Sequence, residues 1–211
     1  MADFFNLGGI AGFVSLLWQI AGAVRRGTRR PRIHIHPFEP ARDLRPWQVI
    51  ESEHPELGGR IQLAVTLDVS NAGPDTAKRC VATLEITSTP PGVTLRERRY
   101  ALHWADVDYS LKNTGAQPVD IGSEVQRLDV AFTHEKQDVA GCWIATPLAL
   151  SLASIDQAYL QPGDYHGTLR ITCENGKAAH LEVVIHSPKA WRDLNASFGG
   201  RQHRGGSRVR L

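Results

Sequence analysis

The strongest constraint on this chain is a run of twenty-one uncharged residues, Phe4 to Val24, FFNLGGIAGFVSLLWQIAGAV, followed at once by RRGTRRPR. As a helix rising about 1.5 Å per residue, such a run spans roughly 31 Å, close to the hydrocarbon thickness of a bilayer. Its ends carry helix signals. Asp3 suits the positive end of the helix dipole, Arg25 and Arg26 suit the negative end, Gly27 is a C-cap residue, and Pro31 blocks continuation. The run predicts a transmembrane α-helix, with residues 1–31 as anchor and basic flank. A helix lying in the interface normally carries a charged face, and this one has none. A buried soluble helix is the third reading of the same run. Ala21-Gly22-Ala23 imitates a signal-peptide cleavage site, but the positive charges follow the apolar run instead of preceding it.

Gly8, Gly12, Ser15, Gln19 and Gly22 are spaced four, three, four and three, so they form one stripe along the helix. Small residues in a stripe let a second helix approach closely, and the glutamine can hydrogen-bond across the contact. The stripe predicts self-association or a partner helix. Arg25, Arg26, Arg29, Arg30 and Arg32 are expected at the membrane surface, against anionic lipid heads. A basic flank stays on the cytoplasmic side, which predicts an outward N-terminus and a cytoplasmic β domain in a single-pass protein.

The rest of the chain is long enough for one well-buried domain. The formal net charge of +2 hides an uneven distribution. Five arginines lie in residues 1–32 and four (Arg201, Arg204, Arg208 and Arg210) close the chain, leaving a mildly acidic body. That body has no basic patch for nucleic acid, whereas the terminal arginines are expected to make a second contact with anionic lipid. Cys80, Cys142 and Cys173 are odd in number, far apart and without a C-x-x-C. They argue against a disulfide framework or a zinc knuckle and fit a reducing compartment. A Cys80–Cys173 bridge stays open, and it would put the domain outside and reverse the orientation.

The body reads as β. Ile33 to His36 alternates between prolines as a short edge strand, and residues 32–60 form a Pro/Gly-rich connector, with Trp47 expected to tuck into it. Ile61 to Val69 is the clearest strand. Ile61, Leu63, Val65, Leu67 and Val69 point one way, and Gln62, Ala64, Thr66 and Asp68 the other. Cys80, Ala82, Leu84 and Ile86 alternate after a turn. Tyr100, Leu102 and Trp104, then Leu128, Val130 and Phe132, then Leu148, Leu150 and Leu152, mark further strands. Asn175-Gly176 predicts a two-residue hairpin turn between Gly167–Cys173 and Leu181–Ile185. The sandwich is expected over 61–190, and 191–211 as a basic flexible tail.

VTLDVSNAGPDTAKRCVATLEI resembles the paired strands of immunoglobulin-like sandwich domains of the bacterial adhesion-repeat (CARDB-like) type, with Asn71, Gly73 and Ala77 in the N-x-G-x-x-x-A places. LQPGDYHGTLRI resembles the approach to a late sandwich strand, with Leu160, Pro162, Gly163 and Tyr165 in place. The resemblance implies a mainly β protein, a single immunoglobulin-like β-sandwich in which the Tyr165 hydroxyl bonds the backbone at a corner. It implies no reaction. The body exceeds a typical domain of about 100 residues, and the excess lies between residues 87 and 158.

Catalytic signatures are missing from the sequence: no G-x-S-x-G, glycine-rich phosphate loop, G-x-G-x-x-G or H-E-x-x-H occurs. His134-Glu135 starts like a zinc-protease motif, but residue 138 is Asp. His34 with His36, and His180 with His186, share strand faces and bind metal only if those strands are neighbours. No metal, cofactor or catalytic residue is expected. Trp104, Asp106, Asp108 and Tyr109 form a polar-aromatic cluster that either lines a ligand groove or ends a strand by burying the ring. Cys142-Trp143 reads as core. The expected role is a non-enzymatic, membrane-anchored module that binds or scaffolds a protein partner. The other readings are an accessory subunit of a membrane complex, and an enzyme or metal-binding domain with an unrecognised site.

Overall fold

The computed structural model describes residues 15–19, 30–37, 48–51, 62–105, 117–134, 140–147 and 157–199. Residues 15–19 are helical. Twelve strands follow among the described residues. They are β1 (Ile33–Pro37), β2 (Gln48–Glu51), β3 (Gln62–Asn71), β4 (Ala77–Ser88), β5 (Arg99–Ala101), β6 (Val119–Ile121), β7 (Gln126–His134), β8 (Cys142–Ile144), β9 (Tyr159–Leu160), β10 (Gly163–Thr172), β11 (Ala179–Ser187) and β12 (Asn195–Gly199). They form two antiparallel sheets. One runs β1-β3-β7-β8-β9, with β2 also on β3; the other runs β12-β11-β10-β4-β5, with β6 also on β4. Both contribute to one buried cluster, so the architecture is a β-sandwich.

The period-2 pattern explains the core. Leu63, Val65, Leu67 and Val69 of β3 are buried, as are Cys80, Ala82, Leu84 and Ile86 of β4, and Leu181, Val183 and Ile185 of β11. Strand β3 departs from the expected one-sided pattern, because Ala64 and Thr66 are buried as well. A bulge between β3 and β7 brings Thr66 opposite Asp129, and the Thr66 hydroxyl donates to Asp129 Oδ1 at 2.8 Å. A buried hydroxyl with that partner is satisfied, so the polar position survives burial. Residues 102–104 cross between the sheets. The Leu102 amide donates to the Ala82 carbonyl, and Trp104 bridges to Leu128.

The N-x-G turn acts as a clasp. The Asn71 side-chain oxygen accepts from the Arg32 and Gly73 amides, both at 2.9 Å, while its NH2 donates to the Asp75 carbonyl at 2.8 Å. Ala77, the last residue of the pattern, is fully buried. Gly163 has φ +145°, and a side chain there would meet Pro90. That left-handed position favours glycine and explains the Pro-Gly before the strand.

Three sequence expectations change. First, residues 191–199 belong to the sandwich: a 3-10 turn spans Trp191–Asp193, and β12 pairs with β11 from Glu182↔Gly199 to His186↔Asn195. Leu194, Ala196 and Phe198 are buried, so this stretch is a strand with its own apolar face, the outermost of its sheet among the described residues. Second, Asn175-Gly176 is not a two-residue hairpin turn. Pairing of β10 with β11 stops at Ile171↔Ala179, and Gly176 has no positive φ. Asn175 instead accepts from the Lys78 amide and donates to the Thr76 carbonyl, tying the loop to the start of β4. Third, Cys80 and Cys173 form a disulfide beside that tie, leaving Cys142 as a free, buried thiol. Sequence spacing hid the pair, because the two cysteines meet only once β4 and β10 are neighbours.

Candidate functional site

The outer face of the second sheet collects side chains from three strands. In β10, Tyr165, Gly167, Leu169 and Ile171 turn inward, which turns Asp164, His166, Thr168 and Arg170 outward. Strand β11 likewise presents His180, Glu182, Val184 and His186, and β12 presents Asn195, Ser197 and Gly199. The register sets Asp164 directly opposite His186, and Ser197 opposite Val184, one diagonal step from His186. Diagonal neighbours on a sheet lie within reach of an imidazole.

These placements make a chain of hydrogen bonds. Asp164 Oδ1 lies 2.8 Å from His186 Nδ1, and Ser197 Oγ lies 3.4 Å from His186 Nε2. An ionised carboxylate only accepts, so the Nδ1 facing it carries the proton and Nε2 is left as the acceptor facing the serine hydroxyl. Ser197 also borders a shallow depression of about 390 Å³, with Val184 between His166 and Ser197 and with Thr168 and Glu182 in the next row. Gly199 adds no side chain to it. The site is open: the side chains of His186 and Asp164 are 38% and 65% exposed. No local motif announces it, since its members stand at 164, 186 and 197. The only sequence signal is the period-2 alternation of three strands, and the third was expected to be a flexible tail.

A second polar cluster is buried. Asp129 Oδ2 lies 3.8 Å from His103 Nδ1, while its other oxygen takes the Thr66 hydroxyl. It joins the segment between the sheets to β3 and β7 and opens onto no described pocket.

The residues singled out in the sequence are scattered. Trp104 is 2% exposed and sits in the core, while Asp106, Asp108 and Tyr109 lie outside the described residues. Ser15 and Gln19 are exposed on the helical segment; Gly8, Gly12 and Gly22 are outside the described residues, as are Arg25, Arg26 and Arg29. Arg30 and Arg32 are exposed and pass over Gly73. His34 and His36 stack at 5.9 Å on β1, in the first sheet, whereas His180 and His186 lie on β11 in the second. Among the described residues no group of three or more His, Cys, Asp or Glu side chains is placed to hold a metal ion. Trp47 and Glu135 lie outside the described residues, and so do Leu148, Leu150 and Leu152.

Burial tunes several acids. It pushes Cys142 up to about 12, keeping the thiol protonated and inert. Cys142 and Trp143 are core, and Trp143 stacks on Phe132 and meets Tyr159 at a tilt. The Tyr165 hydroxyl is buried without a hydrogen bond of ordinary geometry. Burial raises it to about 12, and the Gln161 backbone, four residues upstream, offsets this only in part.

No family model matches the chain, and no curated protein matches it. The fold and surface define a β-sandwich with an open, polar sheet face, in which β12 is the last strand of the second sheet among the described residues.

Proposed function

We propose that this protein is a membrane-anchored immunoglobulin-like module that binds and scaffolds a protein partner. One observation carries the anchor. Of the large hydrophobic residues left exposed among the described residues, three are consecutive in the helical segment: Leu16 at 52%, Leu17 at 48% and Trp18 at 76%. Nothing described in the sandwich covers them, and an exposed apolar patch marks a membrane or protein contact. No helix among the described residues is long and apolar enough to cross a membrane; the spanning reading rests on the uncharged run from Phe4 to Val24. The adhesion-repeat reading is supported by the clasp at Asn71, the close approach at Gly73 and the burial of Ala77.

The five arginines favour a cytoplasmic β domain. The Cys80–Cys173 disulfide favours the opposite orientation, because structural disulfides persist in oxidising compartments. Protease added to sealed right-side-out membranes distinguishes the two. Digestion without lysis is the result expected from the disulfide, and a protected β domain restores the orientation set by the arginines. Crosslinking in the same membranes tests the stripe: Gly12→Ile should abolish helix-mediated oligomers or partner adducts while leaving insertion intact. Unchanged adducts would mean that the stripe faces lipid.

A further inference from the structure

We propose that Ser197 is a nucleophile activated by His186 and oriented by Asp164, and that the outer face of the second sheet accepts an acyl group from small activated esters. The proposal goes beyond partner binding and rests on separate residues. Three observations carry it. The hydrogen bonds run in the order carboxylate, imidazole, hydroxyl, at 2.8 and 3.4 Å. The Asp164 contact fixes the tautomer that leaves Nε2 free to accept the serine proton. The serine also stands at the rim of a depression of about 390 Å³, within the roughly 300–1,000 Å³ range of small-molecule sites.

The order matters, because surface polar residues on a sheet face pair in many ways. A carboxylate on Nδ1 with a hydroxyl on Nε2 is the arrangement in which an imidazole takes a proton from the hydroxyl and is stabilised as it does so. The long serine contact fits an unliganded site, where such bonds tighten only when substrate arrives. The buried His103–Asp129–Thr66 cluster is the comparison. There the threonine hydroxyl bonds the carboxylate and not the imidazole, so it gains no base.

The step balances. Ser197 Oγ attacks the ester carbonyl carbon and its proton passes to His186 Nε2. The carbon–oxygen bond to the alcohol breaks, and the alcohol leaves with that proton. Water then attacks the acyl-serine with His186 again as base, and releases the acid. General-base assistance alone is worth about 10²–10⁴-fold. That reaches aryl esters with good leaving groups and not amides. Val184, between His166 and Ser197, offers a small apolar contact to the acyl chain, while Glu182 disfavours anionic substrates.

The experiment uses the full chain in mild detergent, a fluorophosphonate probe and p-nitrophenyl acetate. One adduct is expected, mapped by mass spectrometry to Ser197. Ser197→Ala should lose it, and His186→Gln should slow labelling at Ser197 by about 10²-fold or more. Asp164→Asn should slow it less, because that carboxylate is exposed and its charge is screened. All three side chains are on the outer face, and thermal melts identify any variant whose fold is affected. His186→Asn is the substitute if His186→Gln melts early. Absence of an adduct at Ser197 overturns the proposal. So does labelling at Ser197 that keeps its rate without the imidazole, or an adduct confined to another residue.

Discussion

A Cβ placed on Gly73 would lie 2.7 Å from the Pro31 Cα. The same added atom would meet the Arg30 carbonyl oxygen at 2.5 Å and the Arg32 amide nitrogen at 2.9 Å. All three neighbours are backbone, so none can swing aside. The glycine of the N-x-G turn is therefore a docking point for the chain that leaves the basic flank and enters β1.

Gly73→Ala should lower stability by about 1–3 kcal/mol, the usual range for overpacking against a rigid neighbour. Asn71→Ala should act on the same junction, since it removes the acceptor for two amides. The measurement is thermal melting of the full chain in detergent. Wild-type melting of Gly73→Ala would mean that residues 30–32 do not dock on the turn.

Truncation separates β12 from the basic end of the sequence. Removing residues 200–211 should leave the melting temperature unchanged. Removing 189–211 also deletes β12 with the buried Leu194 and Phe198, which together contribute about 3–6 kcal/mol. Equal melting of the two variants would place β12 off the sheet.

The Cys80–Cys173 bridge closes a sequence separation of 93 residues. Its reduction should lower stability by about 2–5 kcal/mol. Chain trapped with alkylating reagent, denatured without reductant and counted by mass should show one free thiol, Cys142. Three thiols would show that the two cysteines are neighbours without a bond.

Alkaline pH should unfold the domain through its buried acids. Burial raises Tyr100 and Tyr165 from 10.0 to about 12, and Cys142 from 9.0 to about 12. In the unfolded chain these groups lose protons at their ordinary values, while the folded chain still holds them. Their contribution is therefore intact below about pH 9 and lost as pH rises toward 12, by about 1.4 kcal/mol for each unit of displacement. The double variant Tyr100→Phe, Cys142→Ala should show a shallower decline of stability between pH 9 and 12. A slope identical to wild type would assign the alkaline transition to other groups.

The core strands were legible because their chemistry is local. Leu63, Val65, Leu67 and Val69 alternate within β3, and Tyr100, Leu102 and Trp104 alternate toward the segment that crosses between the sheets; all of them are buried. The turn at Asn71 and Gly73 was legible too, since an Asx side chain bonds its own turn. Asn175-Gly176 misled for a related reason. The asparagine is bonded, but to Thr76 and Lys78, far away in sequence, and that bonding overrides the local turn preference.

By itself the sequence determined the uncharged run at residues 4–24, the β class of the body and most inward-facing positions, because periodicity and charge act over a few residues. Tertiary structure alone decided three things. It made a strand of NASFG, whose Ala196 and Phe198 are buried where β12 pairs with β11. It joined Cys80 to Cys173 through the pairing of β4 with β10. It also brought Asp164, His186 and Ser197 into one hydrogen-bonded line, because cross-strand register is a long-range choice that no local pattern encodes.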